Sequence, residues 1–151
     1  MKYSEEKRDL FSVTDDYFLA HCISADFGMG KGIVVEFNKR FDLKNKLKKK
    51  YSSFVDKWDY CEPISDNTAF CILEGRVFNL ITKRNYWLKP TYGTLRTSLE
   101  LMKDIALDKN ITKIAMPVIG CGLDRLQWNK VSEIIKDVFK DTDIEILVCR
   151  R

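Results

Sequence analysis

The run Met116-Pro117-Val118-Ile119-Gly120-Cys121-Gly122-Leu123-Asp124-Arg125-Leu126-Gln127-Trp128 constrains the fold of this chain more than any other. Ahead of it, Ile111-Thr112-Lys113-Ile114-Ala115-Met116 is short, apolar and partly β-branched, the pattern of a buried strand. Behind it, Trp128, Val131, Ile134, Ile135 and Val138 recur at helical spacing, which predicts an amphipathic helix. The loop between them is tight, and Gly120 and Gly122 can take backbone angles closed to other residues. Strand, glycine loop and helix start together present converging backbone N–H groups, a seat for phosphate. A carboxylate beside such a seat is electrostatically unfavourable, which singles out Asp124 as a residue with a task of its own.

A second unit of this kind stands earlier in the chain. Tyr17-Phe18-Leu19-Ala20-His21-Cys22-Ile23 is a near-continuous apolar run, read as a central strand. It ends at Ser24-Ala25-Asp26-Phe27-Gly28-Met29-Gly30-Lys31-Gly32, and Ile33, Val34, Phe37 and Phe41 then mark one buried helix face. The loop is neither a P-loop nor a dinucleotide fingerprint. Gly32 stands where a P-loop needs Ser or Thr, and Ile33 where the fingerprint needs a small residue.

The remaining elements alternate. Residues 1–13 begin polar and end in Asp9-Leu10-Phe11-Ser12-Val13, an edge strand followed by a loop. Residues 42–57 read as one lysine-rich helix with Leu43, Leu47 and Tyr51 as its thin apolar stripe. Its lysines, Lys44, Lys46, Lys48, Lys49 and Lys50, read first as a solvated face and second as a polyanion contact. Trp58 to Pro63 reads as an irregular connection. Ala69 to Ile81 reads as two strands joined at Glu74-Gly75, the second running out at Thr82-Lys83-Arg84. Pro90 keeps Lys89 extended and Thr91 can cap the next helix, whose apolar side carries Leu95, Leu99, Met102 and Ala106. A last strand covers Ile144 to Val148. Strands alternating with helices predict an α/β sandwich on a mostly parallel sheet.

Totals narrow the classes. At 151 residues the chain is of single-domain size and needs no disulfide or metal staple. Five cysteines without a CxxC pair, and a charged rather than apolar start, lead to the expectation of reduced thiols, no signal peptide and a cytoplasmic location. No apolar run approaches the roughly 20 residues that span a bilayer, so no membrane partner is expected. A net charge of +4 suits an anionic ligand without arguing for nucleic acid. One histidine, His21, disfavours a His-based zinc site or a Ser-His-Asp triad. Small size and mild charge imply a monomer.

Three blocks then coincide: Ala20-His21-Cys22-Ile23-Ser24 through Met29-Gly30-Lys31-Gly32-Ile33, Leu80-Ile81-Thr82-Lys83 with Lys89-Pro90-Thr91-Tyr92, and Pro117 to Trp128. Together they resemble the macrodomain family and, within it, the terminal ADP-ribose protein glycohydrolase branch. The resemblance implies a single three-layer α/β/α macrodomain over 1–151, with a mixed, mostly parallel central sheet and ADP-ribose in a cleft at strand ends. It implies hydrolysis of the ester between ADP-ribose and glutamate or aspartate side chains, with O-acetyl-ADP-ribose as a second substrate and no cofactor or metal. Its partners would be ADP-ribose and ADP-ribosylated proteins. A related branch acts on ADP-ribosylated DNA, and a non-catalytic reader shares the fold; both rank below protein deglutamylation.

Carried onto this chain, Asp9 would hold the adenine amino group, with Leu10 in the same segment. His21, Cys22, Ile23 and Ser24, with Met29, Gly30, Lys31, Gly32 and Ile33, would line the proximal side and the diphosphate. Pro117, Val118, Ile119, Gly120, Cys121, Gly122 and Leu123 would form the distal phosphate and ribose loop. Lys83, preceded by Thr82, would be the catalytic lysine and Asp124 its acidic partner. Lys83 would attack C1″ of the ring-opened distal ribose, releasing glutamate, and Asp124 would resolve the adduct as general acid or base. A neutral amine is the nucleophile that step needs; burial or the Arg84 charge favours that form and Asp124 opposes it. Two departures stand out: Arg8 where relatives have glycine, and Lys31 where a small residue is common. Tyr86, Trp87 and Tyr92 either cover the ligand or pack under a loop. Cys121 reads as a small residue between glycines, and Trp128 as core.

Overall fold

The computed structural model describes residues 1–60 and 67–151. In chain order the strands are β1 Lys2–Lys7, β2 Phe18–Ser24, β3 Phe70–Glu74, β4 Val77–Lys83, β5 Lys113–Met116 and β6 Glu145–Arg150. The helices are α1 Ile33–Phe41, α2 Leu43–Tyr51, α3 Val55–Asp59, α4 Tyr92–Asp108 and α5 Trp128–Phe139. The sheet order is β1-β6-β5-β2-β4-β3, with every pairing parallel except the β3–β4 hairpin.

Strand alternation makes the layers. On β2 and β4, Ala20, Phe78 and Leu80 point to one face, where Leu95, Leu99 and Met102 of α4 and Val131 and Ile135 of α5 pack. Leu19, Ile23, Val77 and Ile81 point to the other, against Phe37 of α1 and Leu43 and Leu47 of α2. Because side chains reverse at each residue, a sheet covered on both faces needs strands apolar on both sides, and β2 and β4 are so through their centres except for the buried pair His21 and Asn79. The result is the three-layer α/β/α arrangement on a mixed sheet. Thr91 caps α4 in a reciprocal pair with Thr94, each backbone N–H meeting the other's hydroxyl at 3.0 Å.

Several expectations shift. The edge strand is the polar segment 2–7, and Asp9-Leu10-Phe11-Ser12 instead forms a 3-10 turn with Asp9 as its cap. The lysine-rich helix stops at Tyr51, followed by Ser52 with φ 62°, and resumes only as α3. The break lets buried Phe54 donate its N–H to Ala25 O at 2.7 Å and pack edge-on against Phe70. Trp58 belongs to α3 rather than to an irregular connection, while Cys61 and Pro63 lie outside the described residues. Glu74 pairs with Val77, so the hairpin turns at Gly75-Arg76, one residue later than expected, with Gly75 at φ 58°. Trp128 is half-buried at the start of α5, where it packs against the core as expected and also donates its indole N–H to Glu5.

Candidate functional site

All parallel strands of the sheet deliver their carboxyl ends to one edge. There the chain leaves β2 towards α1 on one face, and leaves the neighbouring β5 towards α5 on the opposite face. Adjacent parallel strands whose connections diverge open a crevice between them, the place where α/β sheets receive ligands. Both glycine loops border that crevice.

The proximal loop is built around Asp26. Its carboxylate accepts from the Ser24 hydroxyl, from Gly28 N at 3.1 Å and from Tyr86 N at 3.1 Å. Burial would raise the Asp26 carboxyl, but donors from Ser24, Gly28, Tyr86 and Asn85 outweigh burial and hold it below its ordinary value. Gly32 has φ +78° and hands the chain to α1, whose first N–H groups lack intrahelical acceptors. Gly30, Lys31 and Gly32 are exposed and Ile33 half-buried, whereas Ile23, Ser24 and Met29 are buried beneath them.

The distal loop closes on itself. Leu126 N donates to Gly120 O at 2.7 Å and Arg125 N to Gly122 O at 3.2 Å, which sets Asp124 inside a turn. Only Gly120 uses the angle reserved for glycine, at φ +73°; Gly122 does not, and a Cβ there would meet nothing. That corrects the expectation of two special glycines. Pro117, Val118 and Cys121 are half-buried, Ile119 is buried and Leu123 is exposed.

Between the loops the register of β2 on β4 slips. Ile23 faces Ile81 but Ser24 faces Lys83, so Thr82 is an extra residue in β4. A bulge re-aims the side chain that follows it. Lys83, the last residue of β4, gives its carbonyl to Ala25 N at 2.9 Å, and its Nζ donates to Asp124 Oδ1 at 2.7 Å. Both side chains are 14% exposed. An amine and a carboxylate from opposite sides of the crevice thus meet over the end of β2, sheltered but open to a ligand. Arg84 does not bear on Lys83 as an unpaired charge: its guanidinium forks onto both carboxylate oxygens of Asp59, each at 2.8 Å.

Both thiols here are held in the protonated form. Burial, followed by the Asp124 carboxylate, pushes half-buried Cys22 up to about 12, and burial also raises Cys121. Thr82 is fully buried beside Cys22. Among the described residues no group of three or more His, Cys, Asp or Glu side chains is placed to hold a metal ion, and no helix is long and apolar enough to cross a membrane.

His21 is withdrawn from the cleft. Its ring is fully buried, stacked on Phe37 at 4.0 Å, with Nε2 donating to Asn79 Oδ1 at 2.7 Å. The Asn79 amide is oriented by its donations to Ile72 O and Val77 O, which makes its oxygen the acceptor. Burial lowers His21 to about 4 against the opposing Asn79 hydrogen bond. The unfolded chain therefore binds one more proton than the folded chain between about pH 6.5 and pH 4, and stability falls as pH drops through that window. The loss reaches about 3 kcal/mol at its lower end. Chemical denaturation of wild type and His21→Gln at pH 7 and pH 4.5 should show the steeper loss in wild type. Parallel losses would remove His21 as its source.

At the far end of the edge, Asp9 caps its turn by accepting from Phe11 N at 3.0 Å, with buried Leu10 beneath. An open basin lies there, lined by Lys7, Arg8, Asp9, Arg150 and Arg151. Arg8 folds back onto Ser12 and Glu6. Tyr92 is half-buried and its hydroxyl accepts from Gln127 N at 3.0 Å, tying α4 to the start of α5. Tyr86 and Trp87 are exposed, so they do not pack under a loop.

Asp26, Asn85 and Asp59, the partner of Arg84, were not among the residues singled out from sequence. Asp two residues before Gly is a readable turn signal for Asp26. Its reach to Tyr86, 60 residues on, has none.

No family model matches the chain. It is 45% identical over 147 residues to the ADP-ribose glycohydrolase OARD1 of Bos taurus, covering 94% of this chain and 87% of that protein. The macrodomain of Thermus aquaticus DarG superposes with a TM-score of 0.75 at 16% identity, over 99% of this chain and 98% of that one. Thermosipho africanus DarTG, solved in complex with ADP-ribose, gives a TM-score of 0.70 at 18% identity over 99% of this chain and 42% of that one. Fold, ordered motifs and a close relative agree, and the chain belongs to the macrodomain family, in its terminal ADP-ribose glycohydrolase branch.

Proposed function

We propose that this protein hydrolyses the ester joining mono-ADP-ribose to glutamate or aspartate side chains of proteins, with O-acetyl-ADP-ribose as a smaller substrate of the same site. The observation that carries the proposal is the Lys83–Asp124 contact at 2.7 Å, half-sheltered between two glycine loops. A reader needs only the loops; a nucleophile paired with a proton acceptor is what turnover needs. The name of the OARD1 relative and the ADP-ribose bound to the Thermosipho neighbour support the same ligand and reaction class.

In this reading the loops at Gly30–Ile33 and Val118–Gly122 grip the diphosphate through backbone N–H groups, and Asp9 holds the adenine end. The distal ribose enters between Lys83 and Asp124. Asp124 takes a proton from the lysine ammonium and passes it to the ring oxygen; the C1″–O4″ bond breaks as the ring opens, and the freed Nζ lone pair forms a bond to C1″. An N–H proton then returns to Asp124, the C1″–O bond to the glutamyl group breaks, and glutamate leaves as a carboxylate with that electron pair, leaving a protonated imine. Water adds to C1″, the C–N bond breaks, and both water protons end on Nζ. Asp124 returns its proton to solvent. Cys22 and Cys121, held as thiols, take no part.

The test is release of ADP-ribose from a glutamate-modified protein. Turnover by wild type is the expected result. Absence of release, with ADP-ribose still bound in calorimetry, would leave a reader in its place.

A further inference from the structure

We infer that the turn carrying Tyr86 and Trp87 is the contact surface for the polypeptide that bears the ADP-ribosylated carboxylate, and that it selects protein-linked esters over small ones. The inference rests on the hydrolase reading above and adds the substrate side that reading leaves open.

Of nine large apolar side chains exposed among the described residues, four stand on the two loops that border Lys83 and Asp124. Tyr86 and Trp87 are each 63% exposed, Leu88 41% and Leu123 58%. Scattered singly such residues mean little; gathered at one mouth they mark a recognition surface.

The turn is also unusually well tied. Leu88 N donates to Asn85 O at 3.1 Å, which places Tyr86 and Trp87 at its two central positions. Asn85 is buried, and Tyr86 N is held by Asp26. Tyr86 lies so close over Gly28 that a Cβ on that glycine would come within 2.8 Å of it. The two rings meet edge-to-face at 5.1 Å. Lys89 Nζ donates to Leu123 O, and Leu123 in turn reaches over Gly32, so the apolar rim joins all three loops of the site. Exposed aromatics on a fixed turn lose little entropy when covered, which is how binding hot spots are built.

The position chooses the occupant. Diphosphate and adenine are taken by the glycine loops and Asp9, so the rim next to Lys83 meets what is attached at C1″, the leaving group and the chain that carries it. Charge on the turn itself favours polypeptide over nucleic acid. Lys83, Arg84 and Lys89 are each engaged by groups of the protein, Asp124, Asp59 and the Leu123 carbonyl, while exposed Lys31 and Arg125 stand on the glycine loops and not on the turn. A nucleic-acid backbone needs free cations along its path; an apolar turn whose own cations are engaged fits a peptide.

The experiment compares wild type and Trp87→Ala on three substrates: an ADP-ribosyl-glutamyl peptide, O-acetyl-ADP-ribose, and a single-stranded oligonucleotide ADP-ribosylated on a base. Trp87→Ala should lower kcat/KM on the peptide about tenfold, mainly through KM, and Trp87→Phe should restore most of it. Turnover of O-acetyl-ADP-ribose and the Kd for ADP-ribose should stay within about twofold. An equal loss on both esters would mean that Trp87 touches ADP-ribose itself, and would overturn the inference. So would an unchanged peptide rate, or a loss confined to the oligonucleotide. Wild type inert on both esters would instead bring down the hydrolase reading, and the inference with it.

Discussion

Lys83→Ala is expected to lose ester hydrolysis by at least about 10³-fold while binding ADP-ribose within a few-fold of wild type. The two effects separate because Lys83 is at the end of β4 and not in the phosphate loops. Its structural bond to the neighbouring strand is made by its carbonyl, which accepts from Ala25 N at 2.9 Å and survives truncation. What is lost is the amine and its 2.7 Å contact with Asp124. The informative companion is Lys83→Arg. Arginine keeps a cation beside Asp124 but does not give up its proton in a protein, so it cannot attack C1″. If the lysine acted only as a positive charge towards the leaving group, Lys83→Arg would retain much of the rate. If it is the nucleophile, both variants are inert, and mass spectrometry of wild type quenched during turnover should find ADP-ribose on the Lys83 peptide. Full activity in either variant would sink the mechanism.

The fold was legible because its signals are local and redundant. Apolar strands of the right length, two glycine loops, the Thr91 cap and the stripe of Leu95, Leu99, Met102 and Ala106 each needed only a few neighbouring residues to read. Where local signals were single, boundaries slipped. Leu43, Leu47 and Tyr51 continue a helical stripe, and nothing beside them shows that Phe54 must leave the helix to reach Ala25 and Phe70. Trp128 has the spacing of a core residue and packs against the core, but nothing near it in the chain shows that Glu5 of β1 accepts its N–H.

The site divides along the same line. Lys83 and Asp124 are 41 residues apart, and their meeting was legible only through resemblance to a family. The resemblance marked positions but not orientations. It put His21 on the cleft wall, and the strand period turns that ring inward onto Phe37 and Asn79. It did not mark Asp26 or Asn85, which form no catalytic pattern. Their work is to tie the proximal loop to the turn after β4, a contact between segments 60 residues apart that no periodicity records.

Gly120→Glu should abolish ADP-ribose binding, by on the order of 10²-fold or more in Kd. Two separable effects act at this position. One is steric. Gly120 has φ +73°, and an added Cβ would stand 3.0 Å from Leu126 Cδ1 and 3.7 Å from Leu95 Cδ2. A side chain in that backbone region costs about 1–2 kcal/mol, and the Leu126 contact must give way. The other is electrostatic, because a carboxylate is placed in the loop read as the phosphate seat, where it repels the diphosphate. Gly120→Ala carries only the first effect, and Gly122→Ala carries neither, since Gly122 has an ordinary φ and open space at its Cβ. Calorimetry on the three variants, each checked for folding by its thermal transition, should therefore give a graded series. Gly122→Ala should bind as wild type, Gly120→Ala weakly to moderately reduced, and Gly120→Glu not measurably. Equal affinities for Gly120→Ala and Gly120→Glu would mean that the loop binds through its shape alone. Tight binding by a folded Gly120→Glu would move the phosphate away from this loop, and with it the distal ribose from Lys83.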